Sequence, residues 1–232
     1  MPADPGLPFV IVAARNEADR IGATLDALAS AFPGSPVIVA DDASEDSTAE
    51  VALTHGAEVV SRRRPHGKGA NMTAAAEAAL SRPDGAGAPV FLLCDGDLGP
   101  SAANLGRLVD AVAGSECDLA VAAFSRRVGG GFGVAVRFAR WAIRRRCGAE
   151  TTAPISGQRA LRPELLSDLI PFAEGYGMEI GITVDAVRAG ARLREFELDL
   201  EHRASGRSAA GFVHRGRQLR DFVRAYLSRR SV

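Results

Sequence analysis

Two aspartates separated by one glycine, Asp95 and Asp97 in the stretch FLLCDGDL (91–98), are the residues of this chain best suited to chemistry. The apolar run before them, from Phe91, reads as a short buried parallel strand, so Asp95-Gly96-Asp97 falls where that strand leaves its sheet. Ligands of open α/β sheets bind outside the carboxyl ends of strands, and two carboxylates one residue apart there need positive charge nearby. A divalent cation carrying a phosphate meets that need; a plain Asp-Gly turn is the alternative. A second acidic pair, Asp41 and Asp42, ends another apolar run at Val37 to Ala40. Between the two pairs, the basic RRRPHGKGANMT (62–73) leads into an Ala-rich helix. Its glycines let backbone amides approach an anion, the helix N-terminus adds partial positive charge, and Lys68 supplies a mobile full charge. The loop suits a phosphate, although it lacks the GxxxxGK[ST] pattern of a P-loop and a solvated basic loop is the other reading.

The elements that must position these groups follow from hydrophobic spacing. Phe9 to Ala14 is an apolar β-branched run, followed by Arg15, Asn16 and Glu17 and then by Ile21, Leu25 and Leu28 at helical spacing. A second strand at Val37 to Ala40, a helix through Val51 and Leu53 capped by Ser44, and a third strand at Glu58 to Ser61 continue the alternation. A helix from Asn71 to Leu80, another from Ser101 to Ala113 and a strand at Asp118 to Phe124 complete an α/β pattern. Such alternation predicts a doubly wound, mostly parallel sheet with right-handed crossovers.

Beyond it, Gly129 to Gly131 precede GVAVRFARWAIRRR, where Val134, Phe138, Trp141 and Ala142 can share one helix face and Arg137, Arg140, Arg144 and Arg145 another. That helix suits an anionic bilayer, a phosphorylated acceptor, or a core position with a solvated rim. ISGQRAL (155–161) leads into a helix near Pro163 to Leu169, and PFAEGYG leads into one carrying Glu179 and Asp185. LREFELDL (193–200) alternates as a half-exposed strand, His202 lies just beyond it, and a basic helix ends the chain.

Composition bounds the function. At 232 residues, 47% hydrophobic and 24% charged, the chain reads as one ordinary globular domain, with a nucleotide-binding half over about 7–98 and an acceptor half over about 99–232. Its 28 basic and 28 acidic residues cancel, which gives no reason to expect nucleic acid. Cys94, Cys117 and Cys147 are too scattered for a disulfide framework or a CxxC site and favour a reducing compartment. The N-terminus lacks a signal-peptide pattern and no stretch reaches spanning length, so the expectation is a cytoplasmic protein, with peripheral membrane contact and a homodimer both compatible with the sequence.

Five stretches, in this order, resemble the family 2 type of nucleotide-sugar glycosyltransferases with the GT-A fold: VIVAARNEADRI, VADDASEDST, RPHGKGAN, CDGDLG and GYGMEIGITVDAVRAGARL with a later His. Within that superfamily the chain is most similar to glucosyl-3-phosphoglycerate synthases, and polyprenyl-phosphate sugar transferases share its first half almost as well. The resemblance implies a glycosyltransferase that uses a UDP- or GDP-sugar. It implies that Ala13, Arg15 and Glu17 line the nucleotide site, that Asp41 accepts from a base N–H with Asp42 nearby, and that Lys68 neighbours the ribose or diphosphate. It further implies that Asp95, beside Gly96, faces the ribose or sugar and that Asp97 and His202 hold Mg²⁺ or Mn²⁺ on the diphosphate. Glu179, or failing it Asp185, is the candidate base of an inverting reaction. The synthases' glycine-Arg-Thr acceptor loop is VGGGFGVAVRFAR here, without the Arg-Thr pair, which leaves Arg137, Arg140 and Arg159 as candidates for an anionic or lipid-linked acceptor.

Overall fold

The computed structural model describes residues 6–125, 133–201 and 220–229. Seven strands form one sheet: β1 (Phe9–Ala14), β2 (Val37–Asp41), β3 (Glu58–Ser61), β4 (Phe91–Asp95), β5 (Leu119–Phe124), β6 (Arg159–Leu161) and β7 (Leu193–Leu198). Their order across the sheet is β3-β2-β1-β4-β6-β5-β7, with every pairing parallel except those of β6. The mostly parallel, doubly wound sheet expected from the sequence is therefore present. β6 was not legible as a strand. Three residues are too few to show a period, yet this strand runs antiparallel between β4 and β5 and sets Leu93, Arg159 and Val121 in one row.

Helices cover both faces, which is why the central strands are apolar on both sides. In β1, Val10 and Val12 point into one core with Leu25 and Leu28 of α1 (Ile21–Ala31) and Leu108 of α5 (Gly106–Ala113). Phe9 and Ile11 point into the other, with Met72 of α3 (Lys68–Leu80), Leu166 of α7 (Pro163–Leu169) and Ile182 of α8 (Met178–Arg188). α2 (Thr48–Thr54) follows β2, α4 (Pro83–Ala86) precedes β4, and 3₁₀ turns occupy Gly99–Leu105 and Gly175–Gly177. α6 (Gly133–Cys147) packs Ala139 and Ile143 on Ile180 and Val184 of α8, together with Phe222 from the helical residues 220–228.

Several local expectations are corrected by tertiary contacts. α2 begins at Thr48 with no side-chain cap, and Ser44 instead bonds Asp41 and receives the Asn16 amide at 2.9 Å. The segment expected as one helix from Ser101 is a 3₁₀ turn followed by α5. α3 starts at Lys68, three residues before the expected Asn71, because Gly67 takes φ +85° and turns the chain directly into the helix. On α6 the buried face is Ala139, Ala142 and Ile143, while Val134 and Trp141 face outward.

The loop after β4 is fastened from below by Thr24 of α1. Its hydroxyl donates to the Gly96 carbonyl at 2.8 Å and accepts from the Gly99 amide at 2.8 Å, both buried. The Gly96 amide donates to Ala13 O at 2.8 Å, so the Asp-Gly-Asp turn is held from two sides. Replacing Thr24 by Val leaves both buried backbone groups without this partner; urea unfolding is expected to show a loss of about 1–3 kcal/mol.

Candidate active site

At the C-terminal ends of β1, β2 and β4, six chain segments converge. The β1–α1 and β2–α2 turns are laced together: Glu45 N donates to Asn16 Oδ1 at 2.8 Å, Glu17 N donates to the Thr48 hydroxyl at 2.8 Å, and Ala18 N donates to Asp46 at 3.2 Å. Asn16 and Ala43 adopt positive φ, 55° and 54°, in these turns. Asp42 holds the basic loop, with Oδ1 accepting from His66 N at 2.9 Å and Oδ2 from Gly67 N at 3.1 Å. Arg15 lies 3.8 Å from the same carboxylate. Asp41 is turned inward, accepting from the Ser44 hydroxyl and, at 2.9 Å, from the Ser61 hydroxyl; a ligand N–H must share its lone pairs with those partners.

The centre is a bridge through Lys68. Its ammonium donates to Asp95 Oδ1 at 2.6 Å and to Glu179 Oε1 at 2.9 Å, while Gln158 Nε2 donates to Asp95 Oδ2 at 2.9 Å. Burial opposes the charged form of Lys68, but the charges of Asp95 and Glu179 outweigh it and hold the amine protonated above its ordinary range. A raised amine contributes stability that is complete below its unfolded value and lost only as pH rises through the higher folded one, so the bridge is constant across neutral pH.

Three glycines make the convergence possible. A Cβ on Gly157 would stand 2.6 Å from both Asp95 Oδ2 and Lys68 Nζ. One on Gly69 would collide with the Ala173 carbonyl, and one on Gly67 would meet Gly175 Cα at 3.1 Å. The basic loop and the GYG turn therefore pack backbone to backbone, which is what brings Lys68 to Glu179.

Other sequence-predicted residues sit elsewhere. Arg159 is not on a surface facing an acceptor: it is 1% exposed, donates through Nε to Ser156 O at 2.8 Å and through Nη1 to the Thr183 hydroxyl at 2.9 Å. Burial lowers its pKa to about 10, and Glu179 and Glu195 oppose that only in part. Asp185 is paired with Arg229, whose Nε donates to it at 2.7 Å. At about 100° per residue it lies on a different face of α8 from Glu179, so it anchors the C-terminal helix rather than reaching Lys68. Arg137 and Arg140 are exposed on α6, and Arg140 donates to Thr152 O at 2.6 Å. Asp97 is half-buried next to Gly96, and its backbone carbonyl accepts from Arg20 at 3.2 Å. His202 and Gly129 to Gly131 lie outside the described residues. Sequence reasoning missed Gln158 and Gly157, which β6 delivers to Asp95; the only available signal was the SGQ before a strand too short to recognise.

The sheet order and its flanking helices are those of the GT-A fold, shared with the solved neighbours described next. The chain belongs to glycosyl transferase family 2, whose family model matches residues 9–173. It is 32% identical over 216 residues to the undecaprenyl-phosphate mannosyltransferase of Micrococcus luteus, covering 86% of each protein. It is 31% identical to the glucosyl-3-phosphoglycerate synthase of Mycolicibacterium paratuberculosis over 76% of this chain and 58% of that protein. The crystal structure of the Mycobacterium tuberculosis glucosyl-3-phosphoglycerate synthase with Mn²⁺, UDP and glucosyl-3-phosphoglycerate superposes with a TM-score of 0.75 at 26% identity, covering 97% of this chain and 80% of that one.

Two substitutions test the centre. Lys68→Met leaves the buried Glu179 without its ammonium; a loss on the order of 3 kcal/mol is expected. The raised Lys68 amine contributes stability that is complete below its unfolded value and lost only as pH rises through its higher folded one, so the melting-temperature deficit of the Met variant is expected to stay constant between about pH 5 and pH 8. Gly157→Ala sets a methyl against Asp95 and Lys68 within the bridge, so a stability loss smaller than that of Lys68→Met is expected together with a fall in sugar transfer of roughly 100-fold.

Proposed function

We propose that this family 2 glycosyltransferase moves a sugar from a UDP- or GDP-sugar to an anionic acceptor with the help of Mg²⁺ or Mn²⁺. The observation that carries the reading is the Lys68 bridge between Asp95 and Glu179, one residue from Gly96 and two from Asp97, at the carboxyl edge where an open α/β sheet takes its ligand. Mn²⁺ and UDP in the superposed synthase structure support the choice of donor class and cation.

The donor set fits the cation. Among the described residues no group of three or more His, Cys, Asp or Glu is placed to hold a metal ion. A hard cation of this kind takes one or two carboxylates and fills its remaining positions with substrate phosphates and water. Asp97 would be that carboxylate, with His202 as the second ligand that the resemblance implies. When bound, the cation stabilises charge growing on the departing nucleoside diphosphate.

The chain's own groups do the rest. Arg15 and the N-terminus of α3 favour the negative diphosphate, and the Asp42 carboxylate, which takes the His66 and Gly67 amides, keeps the basic loop in place. Asp95, held by Lys68 and Gln158, presents a fixed carboxylate to the ribose or sugar hydroxyls. Glu179 is nearly buried and tied to Lys68 at Oε1, which leaves Oε2 to accept a proton from an acceptor hydroxyl or to position the sugar. An acceptor that attacks through a phosphate oxygen needs no such base.

A panel of nucleotide sugars with and without Mn²⁺ or Mg²⁺ tests this reading. A UDP- or GDP-sugar is expected to raise the melting temperature only with metal and to release nucleoside diphosphate, and Asp97→Ala is expected to abolish the metal-dependent part. Absence of stabilisation by every nucleotide sugar in the presence of metal would refute it. Offering polyprenyl phosphate and 3-phosphoglycerate in parallel identifies the acceptor.

A further inference from the structure

We infer that the outer face of α6 and the adjoining helical residues 220–228 form a docking surface for an anionic lipid bilayer. The inner side of α6 is spent on the core: Ala139 and Ile143 pack on Ile180, Val184 and Phe222. At about 100° per residue, the opposite side carries Val134, Arg137, Trp141, Arg144 and Arg145 together. Val134 is 71% exposed and Trp141 44%. The arginines among them are exposed as well.

The second helix repeats the composition. Phe222 is buried against α6 and α8 and Ala225 is buried as well, while Val223 and Leu227 face outward beside exposed Arg220 and Arg224. The two outer faces are continuous, because Trp141 and Tyr226 meet with ring centroids 4.9 Å apart, Phe138 lies 5.6 Å from Trp141, and Arg146 stacks over Tyr226 at 3.7 Å. The result is a two-helix platform with large apolar side chains set between guanidinium groups.

Charge decides the occupant. α6 contains no acidic residue. In residues 220–229 the one acid is Asp221, largely buried, which accepts from Tyr176 N at 3.4 Å and lies 3.5 Å from Arg220. The exposed Glu150, 3.9 Å from Arg144, is the acid at the rim. Five exposed arginines, Arg137, Arg144, Arg145, Arg220 and Arg224, therefore give one face a strong positive field in a chain whose formal net charge is zero. A two-fold pairing of copies through this face would set arginines against arginines, since an isologous interface matches the same patch to itself. Anionic headgroups accept the guanidinium groups, the arginine stems run along apolar surface, and tryptophan prefers the headgroup level. No described helix is long and apolar enough to cross a membrane, so the contact lies in the interface plane.

The platform and the catalytic centre are separate surfaces that share one turn. Tyr176, in the 3₁₀ turn leading to Glu179, packs against the α6 cluster, whereas α8 stands between the outer face of α6 and Lys68. Binding to lipid needs neither nucleotide nor metal, so its failure and the failure of the proposed transfer reaction are read out independently.

Trp141 is the only tryptophan of the chain, which makes its fluorescence a direct reporter. The full chain is mixed with vesicles of phosphatidylglycerol and phosphatidylcholine, or of phosphatidylcholine alone, and followed by co-sedimentation and emission spectra. Binding only to the anionic vesicles is expected, with a blue-shifted Trp141 and a loss of binding as salt rises. Arg144→Gln with Arg145→Gln should lower the partition coefficient on the order of 25-fold, at about 5-fold per charge, while keeping its thermal stabilisation by nucleotide sugar. Trp141→Phe keeps the binding and removes the signal. Equal binding to neutral vesicles, binding with an unshifted Trp141, no binding at all, or burial of Trp141 in a dimer detected by sedimentation would each overturn the inference.

Discussion

One ammonium group between two carboxylates constrains this structure more than any other interaction. Lys68 begins α3, Asp95 ends β4 and Glu179 opens α8, so a single cation ties together three elements that are distant in sequence. Two carboxylates this close are costly without a shared positive charge, and a buried ammonium is costly without carboxylates. Each group is tolerated only because the others are present. That mutual dependence fixes the starts of α3 and α8 against the end of β4.

The same constraint explains the tight packing around it. Lys68 reaches Glu179 only if the basic loop lies directly on the GYG turn, and a side chain on Gly67 or Gly69 would hold the two backbones apart. Asp42 then holds the loop from the other side through the amides of His66 and Gly67. The acids thus divide into kinds. Asp42 and Asp41 organise loops, Asp95 is fixed by Lys68 and Gln158, and Asp97 stands two residues further along a turn that Thr24 secures.

Most of the fold was legible in sequence because parallel strands buried on both faces produce uninterrupted apolar runs, as in FVIVAA and FLLCD. The clustering of Asp41, Asp42, Lys68 and Asp95 was legible for a related reason: the acids and the glycine-flanked lysine sit at the ends of those runs, where geometry forces them to one edge. What could not be read depends on long-range contacts. β6 is three residues long, so neither Gln158 beside Asp95 nor the burial of Arg159 had a local signature. The pairing of Asp185 with Arg229, 44 residues away, is equally invisible until the C-terminal helix is docked. On α6 the sequence allowed two helix faces but could not say which is inward; the small Ala139 and Ala142 fit the close approach to α8, and the larger Val134 and Trp141 are left outside.

The buried guanidinium of Arg159 follows from that docking. Among the described residues no carboxylate touches it; it bonds the Ser156 carbonyl and the Thr183 hydroxyl, and Thr183 in turn donates to the Glu179 carbonyl at 3.0 Å. Its Nη2 is buried and has no hydrogen-bond partner among the described residues. The charges of Glu179 and Glu195 therefore offset only part of what burial costs this cation. Lys68 touches the Glu179 carboxylate directly, whereas Arg159 reaches that residue only through the Thr183 hydroxyl and through its charge, so the start of α8 is tied to one cation at the sheet edge and to another in the core.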